Sequence, residues 1–215
     1  MEYSHILWDF NGTILNDVEA GINSANKLLS RRNMTLIENR DQYHDVFGFP
    51  IKAYYQRLGF DFEKESYESL AVEWVHLYLE FVKESQLQEG VLEALEFFQD
   101  KKIRQTILSA TETSMLERQV INLGIEHFFD ELLGLDNIHA HSKVSVGKEW
   151  ITNNRSAKAL FIGDTVHDYE VASEIGIDCV LIAKGHQNRK TLEACGVPVF
   201  DQVNEFLASL WCNDL

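Results

Sequence analysis

The chain has 215 residues, 45% of them hydrophobic, which is enough to bury one substantial core and to carry a smaller second unit beside it. Thirty-four acidic against nineteen basic side chains leave a formal net charge of −15, which argues against polymeric nucleic acid and anionic membrane surfaces as partners. A small anionic substrate stays open, because a divalent metal and one or two local cations override a distant, salt-screened field.

The opening residues MEYSHILWDF lack the basic region and long apolar run of a signal peptide. No window reaches the roughly 18 apolar residues needed to span a bilayer, so a cytoplasmic location is expected. Cys179, Cys195 and Cys212 form no CxxC pair and read as reduced, structural thiols.

In chain order, HILW (5–8) predicts a first strand that ends at Asp9. Residues 16–85 contain no convincing strand. From Tyr67 to Val82 the apolar residues Tyr67, Leu70, Trp74, Val75, Tyr78 and Phe81 recur at three- and four-residue intervals, which predicts a long helix with one apolar face. Segments 17–31 and 50–58 supply its partners. The expected organisation is an all-helical domain over 16–85, inserted into a core made of 1–15 and 86–215. Further strands are predicted at QTIL (105–108), ALFI (159–162) and CVLIA (179–183). Helices are predicted at 91–101, 112–123, 168–175 and 189–195, with Gly124, Gly176 and Gly196 at their ends. This alternation predicts an α/β fold with a Rossmann-like, doubly wound parallel sheet.

Asp9, Ser109 and Asp164 each follow an apolar strand candidate, at once or after a single glycine. In an open parallel sheet the carboxyl ends of the strands form the rim of the ligand crevice, so three distant side chains are expected to converge there. One such residue alone reads as a turn former. Asp164 and Asp168, four residues apart and facing Asp9, make an anionic cup of oxygen ligands suited to Mg²⁺. Asp168 also stands where the cap of the following helix belongs.

These segments resemble the motifs of the haloacid dehalogenase-like superfamily. DFNGT (9–13) is similar to its first motif, usually DxDGT; TILSA (106–110) to its second, a strand ending in Ser or Thr; GDTVHD (163–168) to its fourth, GDxxxD. The helical insertion falls between the first and second motifs, as in members with a helical cap. Gly48 and Pro50, in FGFPIKAYY, are similar to a cap signature of the phosphoglycolate phosphatase-like branch. The resemblance spans nearly the whole chain and is specific for the superfamily, not for a substrate.

The resemblance implies a phosphatase in which Asp9 attacks phosphorus and forms an aspartyl-phosphate that water then hydrolyses. It implies Mg²⁺ held by Asp9, the backbone carbonyl of Asn11 and Asp164, with Asp168 direct or through water. Ser109 would donate to a phosphoryl oxygen beside Ala110, and Gly12 and Thr13 would bring the loop backbone close to the substrate. The third motif supplies a lysine in the loop ahead of the helix that precedes the last acidic strand. Lys143 is placed in that loop and preferred; Lys148, expected inside the helix, is the alternative. Lys52, just after Pro50, is a candidate substrate contact, because caps of this branch often point a basic residue at the core.

Asn11 departs from the pattern, standing where the second Asp of DxDGT protonates the leaving group and activates water. An amide cannot exchange a proton at neutral pH, so roughly 10² to 10⁴ in rate is at stake if nothing replaces the acid. The readings left open are a slow phosphatase, one specialised for good leaving groups such as acyl phosphates, and one that borrows an acid from Asp17 or His167. A regulatory protein that binds a phosphorylated metabolite through an impaired site is the alternative class. His139 and His141 read as surface histidines, and Tyr54, Tyr55, Trp74 and Tyr78 as packing.

Overall fold

The computed structural model describes residues 3–135 and 142–212. Six strands form one parallel sheet: β1 (His5–Trp8), β2 (Arg104–Glu112), β3 (Glu131–Leu135), β4 (Ala159–Gly163), β5 (Asp178–Ile182) and β6 (Val199–Phe200), in the order β3-β2-β1-β4-β5-β6. The order reverses between β1 and β4, and in such sheets ligands bind at the carboxyl ends of the strands flanking that point. Asp9 follows β1 and Asp164 follows β4. The Asp9 backbone N–H donates to the Ile162 carbonyl at 2.8 Å, so the ladder continues into the site.

The period-two alternation of β1 sends Ile6 and Trp8 to one face of the sheet and Leu7 to the other. On the first face they pack with α5 (Val91–Asp100), α6 (Thr113–Asn122) and α10 (Val203–Cys212). On the second, Leu7 joins residues of α7 (Lys143–Asn153), α8 (Val166–Ile175) and α9 (Arg189–Glu193). Gly124, Gly176 and Gly196, read from the sequence as helix ends, adopt left-handed φ of 70°, 74° and 72°.

Between β1 and α5 lie α1 (Val18–Arg31), α2 (Arg40–Val46), α3 (Ile51–Arg57) and α4 (Tyr67–Phe81), with an apolar cluster of their own around Leu28, Tyr55 and Leu70. Arg32, just beyond α1, ties this group to Glu65 at 2.9 and 3.0 Å and to Glu73 at 2.8 Å. The chain leaves and re-enters the sheet through adjoining backbone: Leu15 bridges Leu87, and the Asn16 N–H donates to the Gln86 carbonyl at 2.8 Å.

Among the described residues no helix is long and apolar enough to cross a membrane, and Cys179 and Cys195 are free thiols. The sequence did not point to β3, β6, α2 or α10. β3 carries a glycine and is only half-buried, and β6 has two residues, so neither shows the apolar run on which strand prediction depends.

Candidate active site

Asp9, Asp164 and Asp168 come together although 155 residues separate Asp9 from Asp164: one carboxylate oxygen of each lies within 4.8 Å of the others, and all three are buried. Asp9 forms part of a cavity wall with Asn11, Ser109, Ala110 and Asp168, whereas Asp164, 0% exposed, lies beneath it. Ser109 is not the residue after a strand, as the sequence implies, but sits inside β2 where the register shifts between Leu108 and Glu112. That irregularity turns the segment toward the cavity, and the Ser109 hydroxyl accepts the Thr111 N–H at 3.1 Å.

Lys143, expected in a loop, instead opens α7 directly after its N-cap Ser142. Its ammonium group reaches Asp168 Oδ1 at 2.6 Å and also donates to Asp9 Oδ1. Lys148 forms an exposed pair with Glu174 at 2.7 Å on the surface, which leaves Lys143 as the lysine of the site. Asp168 does cap α8, as its position allowed: its second oxygen accepts from the Thr165 N–H and hydroxyl at 2.9 and 2.7 Å and from the Asp164 N–H at 3.1 Å.

Gly12 and Thr13 do not reach the cavity wall; both position Asp164. The Thr13 hydroxyl donates to Asp164 Oδ1 at 3.1 Å. Gly12, at φ +81°, presses so closely that a Cβ would fall 2.2 Å from Asp164 Oδ2, and at Gly185 it would fall 2.1 Å away. Lys52 is not brought to the site. It is exposed on α3 with its ammonium group over the Phe62 and Tyr67 rings at 5.5 and 5.7 Å.

Asn11 is held at both ends. Its Oδ1 accepts from the Thr111 hydroxyl at 2.6 Å, and its Nδ2 donates to Asp17 Oδ2 at 2.9 Å and to the Tyr78 oxygen at 2.8 Å. Asp17 also accepts from the Tyr78 hydroxyl at 2.6 Å, from the Gly12 N–H at 2.8 Å and from His186 Nε2 at 3.2 Å. His186 was not singled out in the sequence. It stands four positions past the end of β5, too far from the strand for the pattern that marked the aspartates; its N–H donates to Asp164 Oδ2 at 2.6 Å.

Burial pushes the Asp9 carboxyl well up, the Asp168 charge adds to this, and Lys143 opposes it. Burial likewise raises Asp164, to about 6. Asp168 is held below the ordinary range: burial opposes ionisation, but Lys143 and the Thr165 donors outweigh it. For Lys143 burial favours the neutral amine, yet the Asp168 and Asp9 charges raise it further above its usual value. Asp17 is lowered despite burial by His186, Tyr78 and Asn11, and His186 is raised to about 9 despite burial by Asp17 and Asp164. Asp17 is therefore an ionised acceptor, not the proton donor considered from its sequence position.

Three buried carboxylates against one ammonium group leave negative charge unmatched, and burial first, with the neighbouring Asp168 charge second, makes Asp9 and Asp164 hold their protons more tightly. Oxygen donors with excess negative charge fit a hard divalent cation such as Mg²⁺.

The cavity above the carboxylates measures about 570 Å³. Its outer walls come from α1 to α4, the loops between them and α6, and include Tyr54, Tyr55, Trp74 and Tyr78, for which packing was the preferred reading over a place in a substrate pocket. His167, the other acid considered, lies on the wall with its ring 4.6 Å from that of Phe49. His139 and His141 lie outside the described residues.

The family profile described as haloacid dehalogenase-like hydrolase matches residues 6–182. No curated protein matches the sequence. Among solved structures, a haloacid dehalogenase-like family hydrolase, SP0104 from Streptococcus pneumoniae, is 22% identical with a TM-score of 0.76, over 97% of this chain and 98% of that one. A structure described as a predicted phosphoglycolate phosphatase from Haemophilus somnus is 19% identical with a TM-score of 0.74, over 98% and 99%. Protein Tyrosine Kinase A from Mycobacterium tuberculosis is 20% identical with a TM-score of 0.80, over 97% and 98%. At these identities the structures share the fold.

Proposed function

Because this chain belongs to the haloacid dehalogenase-like hydrolase family, we propose that it is a Mg²⁺-dependent phosphatase acting on a small phosphorylated metabolite, with Asp9 as nucleophile. The observation that carries this reading is the meeting of Asp9, Asp168 and Lys143 at the floor of a cavity, with Asp164 beneath them. Helices α1 to α4 act as a cap domain over that floor. Structures of the same fold described as a predicted phosphatase and a predicted phosphoglycolate phosphatase are consistent with this reading.

Asp9, the backbone carbonyl of Asn11 and Asp164 would hold Mg²⁺. Asp168 joins them directly or through water, and its two oxygens, already accepting hydrogen bonds, favour the water-mediated form. Bound there, the ion neutralises phosphoryl charge and lowers the repulsion between anionic nucleophile and anionic ester. Lys143 orients Asp9 and adds a second positive charge. An Asp9 oxygen attacks phosphorus, the bond to the leaving oxygen breaks with its electron pair on that oxygen, and Ser109 donates to a phosphoryl oxygen. Water then attacks phosphorus, releasing phosphate and regenerating the Asp9 carboxylate.

The testing experiment is turnover of acetyl phosphate by purified protein with and without Mg²⁺, alongside Asp9→Asn. Mg²⁺-dependent release of phosphate that vanishes in the variant supports the reading. Absence of turnover with tight binding of phosphate would favour the regulatory alternative, for which Asn11 is the motivating residue.

A further inference from the structure

We propose that the leaving group of the substrate is planar and apolar, an aryl or comparably weakly basic alcohol, and not a small carboxylated or polyhydroxylated one. The proposal rests on the phosphatase reading and concerns what fills the space above Asp9.

Two independent features ask for the same chemistry. The first is the wall. Phe47, Phe49, Tyr54, Trp74, Val75 and Met115 line a cavity of about 570 Å³, a volume suited to a ligand much larger than a phosphoryl group and two carbons. Phe49 and Val75 are 39% and 37% exposed, so these are apolar surfaces open to a ligand and not part of a closed core. Their flat faces favour a ring by stacking or edge contact.

Among the described residues four basic side chains line the cavity; one of them, His167, faces Glu170 at 3.3 Å. Lys143 is held by Asp9 and Asp168, His186 is held by Asp17, and Arg118 is exposed on α6. Lys52 points elsewhere, over Phe62 and Tyr67. A substrate carboxylate deep in this cavity would lose its water without gaining a dedicated charged partner, a loss that a neutral ring avoids.

The second feature is Asn11. Its amide cannot deliver a proton, and its Nδ2 is already engaged by Asp17 and Tyr78. With no proton from position 11, a leaving oxygen departs with more negative charge. A phenolic oxygen, with a pKa of about 10 as in tyrosine, tolerates that far better than an alkanol. The apolar wall and the missing acid thus select the same esters, the first by contact and the second by chemistry.

Because aryl esters are intrinsically more reactive, the deciding test separates recognition from leaving-group ability. Benzylphosphonate, methylphosphonate and phosphonoacetate, none with a scissile ester, are compared as competitive inhibitors of acetyl phosphate turnover by the Mg²⁺-loaded protein. Benzylphosphonate is expected to bind roughly tenfold tighter than the other two, from aromatic contact and apolar burial. Phe49→Ala and Trp74→Ala are expected to narrow that ratio. Among substrates, phenyl phosphate should exceed glycerol phosphate and phosphoglycolate in kcat/KM by more than tenfold. Equal affinity for the three phosphonates, tighter binding of phosphonoacetate, or a ratio unmoved in both variants overturns the proposal while leaving Asp9-dependent acetyl phosphate turnover, and with it the phosphatase reading, intact. Failure to turn over acetyl phosphate or any ester removes both.

Discussion

The Asn11 amide nitrogen and the Asp17 carboxylate are 2.9 Å apart, and the Tyr78 hydroxyl closes a triangle with them, 2.8 Å from Asn11 and 2.6 Å from Asp17. A carboxyl group at position 11 would face the same buried, ionised Asp17 and would be kept protonated by it. That is the state a general acid needs. Asn11→Asp is therefore expected to raise kcat for an alkyl phosphate by about 10²-fold, and for an aryl phosphate by less than about tenfold. Steady-state rates of the folded variant on both esters check this, and an alkyl phosphate rate equal to or below that of the parent protein contradicts it.

Lys143 is fully enclosed with Asp9 and Asp168, so its loss leaves two buried carboxylates without their cation. Lys143→Met is expected to lower metal-free stability by about 3–5 kcal/mol and to abolish measurable turnover. Lys148→Met removes an exposed pair with Glu174 and should change stability by less than about 1 kcal/mol. Urea denaturation of both variants in chelator makes the comparison; equal effects would deny the buried lysine its role.

Gly185 presses against Asp164 from the loop after β5. A methyl group there would stand 2.1 Å from Oδ2 and must displace the carboxylate. Gly185→Ala is expected to weaken the Mg²⁺ dependence of turnover by at least about tenfold while the protein stays folded. A Mg²⁺ titration of activity reads this out, and an unchanged half-saturation point would show that Asp164 does not hold the ion.

His5, at the start of β1 and remote from the carboxylates, gives a separate test on stability. Burial lowers its pKa from the ordinary 6.5, Arg104 adds to this, and Asp130 and Glu131 oppose it. Its ring meets Trp150 edge-on at 5.6 Å. A depressed folded pKa means the neutral ring's contribution is complete above pH 6.5 and is lost as pH falls below that value. His5→Phe should flatten the fall in stability on acidification, measured as denaturation midpoints across that range; an unaltered slope would exclude His5 as a contributor.

Much of the architecture was legible because buried parallel strands read as short apolar runs: β1, β4 and β5 were located within a residue at each end. The carboxylate cluster was legible for the same reason, since Asp9 and Asp164 are marked by the strands they follow. What stayed hidden depends on the third dimension. Lys143, reaching back 134 residues to Asp9, was preferred only through the family resemblance, since nothing local distinguishes it from a surface lysine. Tyr43, whose hydroxyl lies 2.7 Å from His186 Nδ1, sits in a helix of only seven residues, too short for a periodic signal. Trp74 and Tyr78 do recur at packing intervals, and their second role at the cavity wall follows only from where α4 lies over the sheet.

The central claim is that Asp9 itself takes the phosphoryl group. With no carboxylate at position 11 to take a proton from the attacking water, the acylphosphate should outlast the departure of the first product. Acid-quenching the Mg²⁺-loaded protein during turnover of phenyl phosphate, followed by borohydride reduction and peptide mass analysis, tests this directly. The account predicts homoserine at position 9 in the parent protein and none in Asp9→Asn. Phosphoryl label on another residue, or turnover that survives in Asp9→Asn, would contradict it.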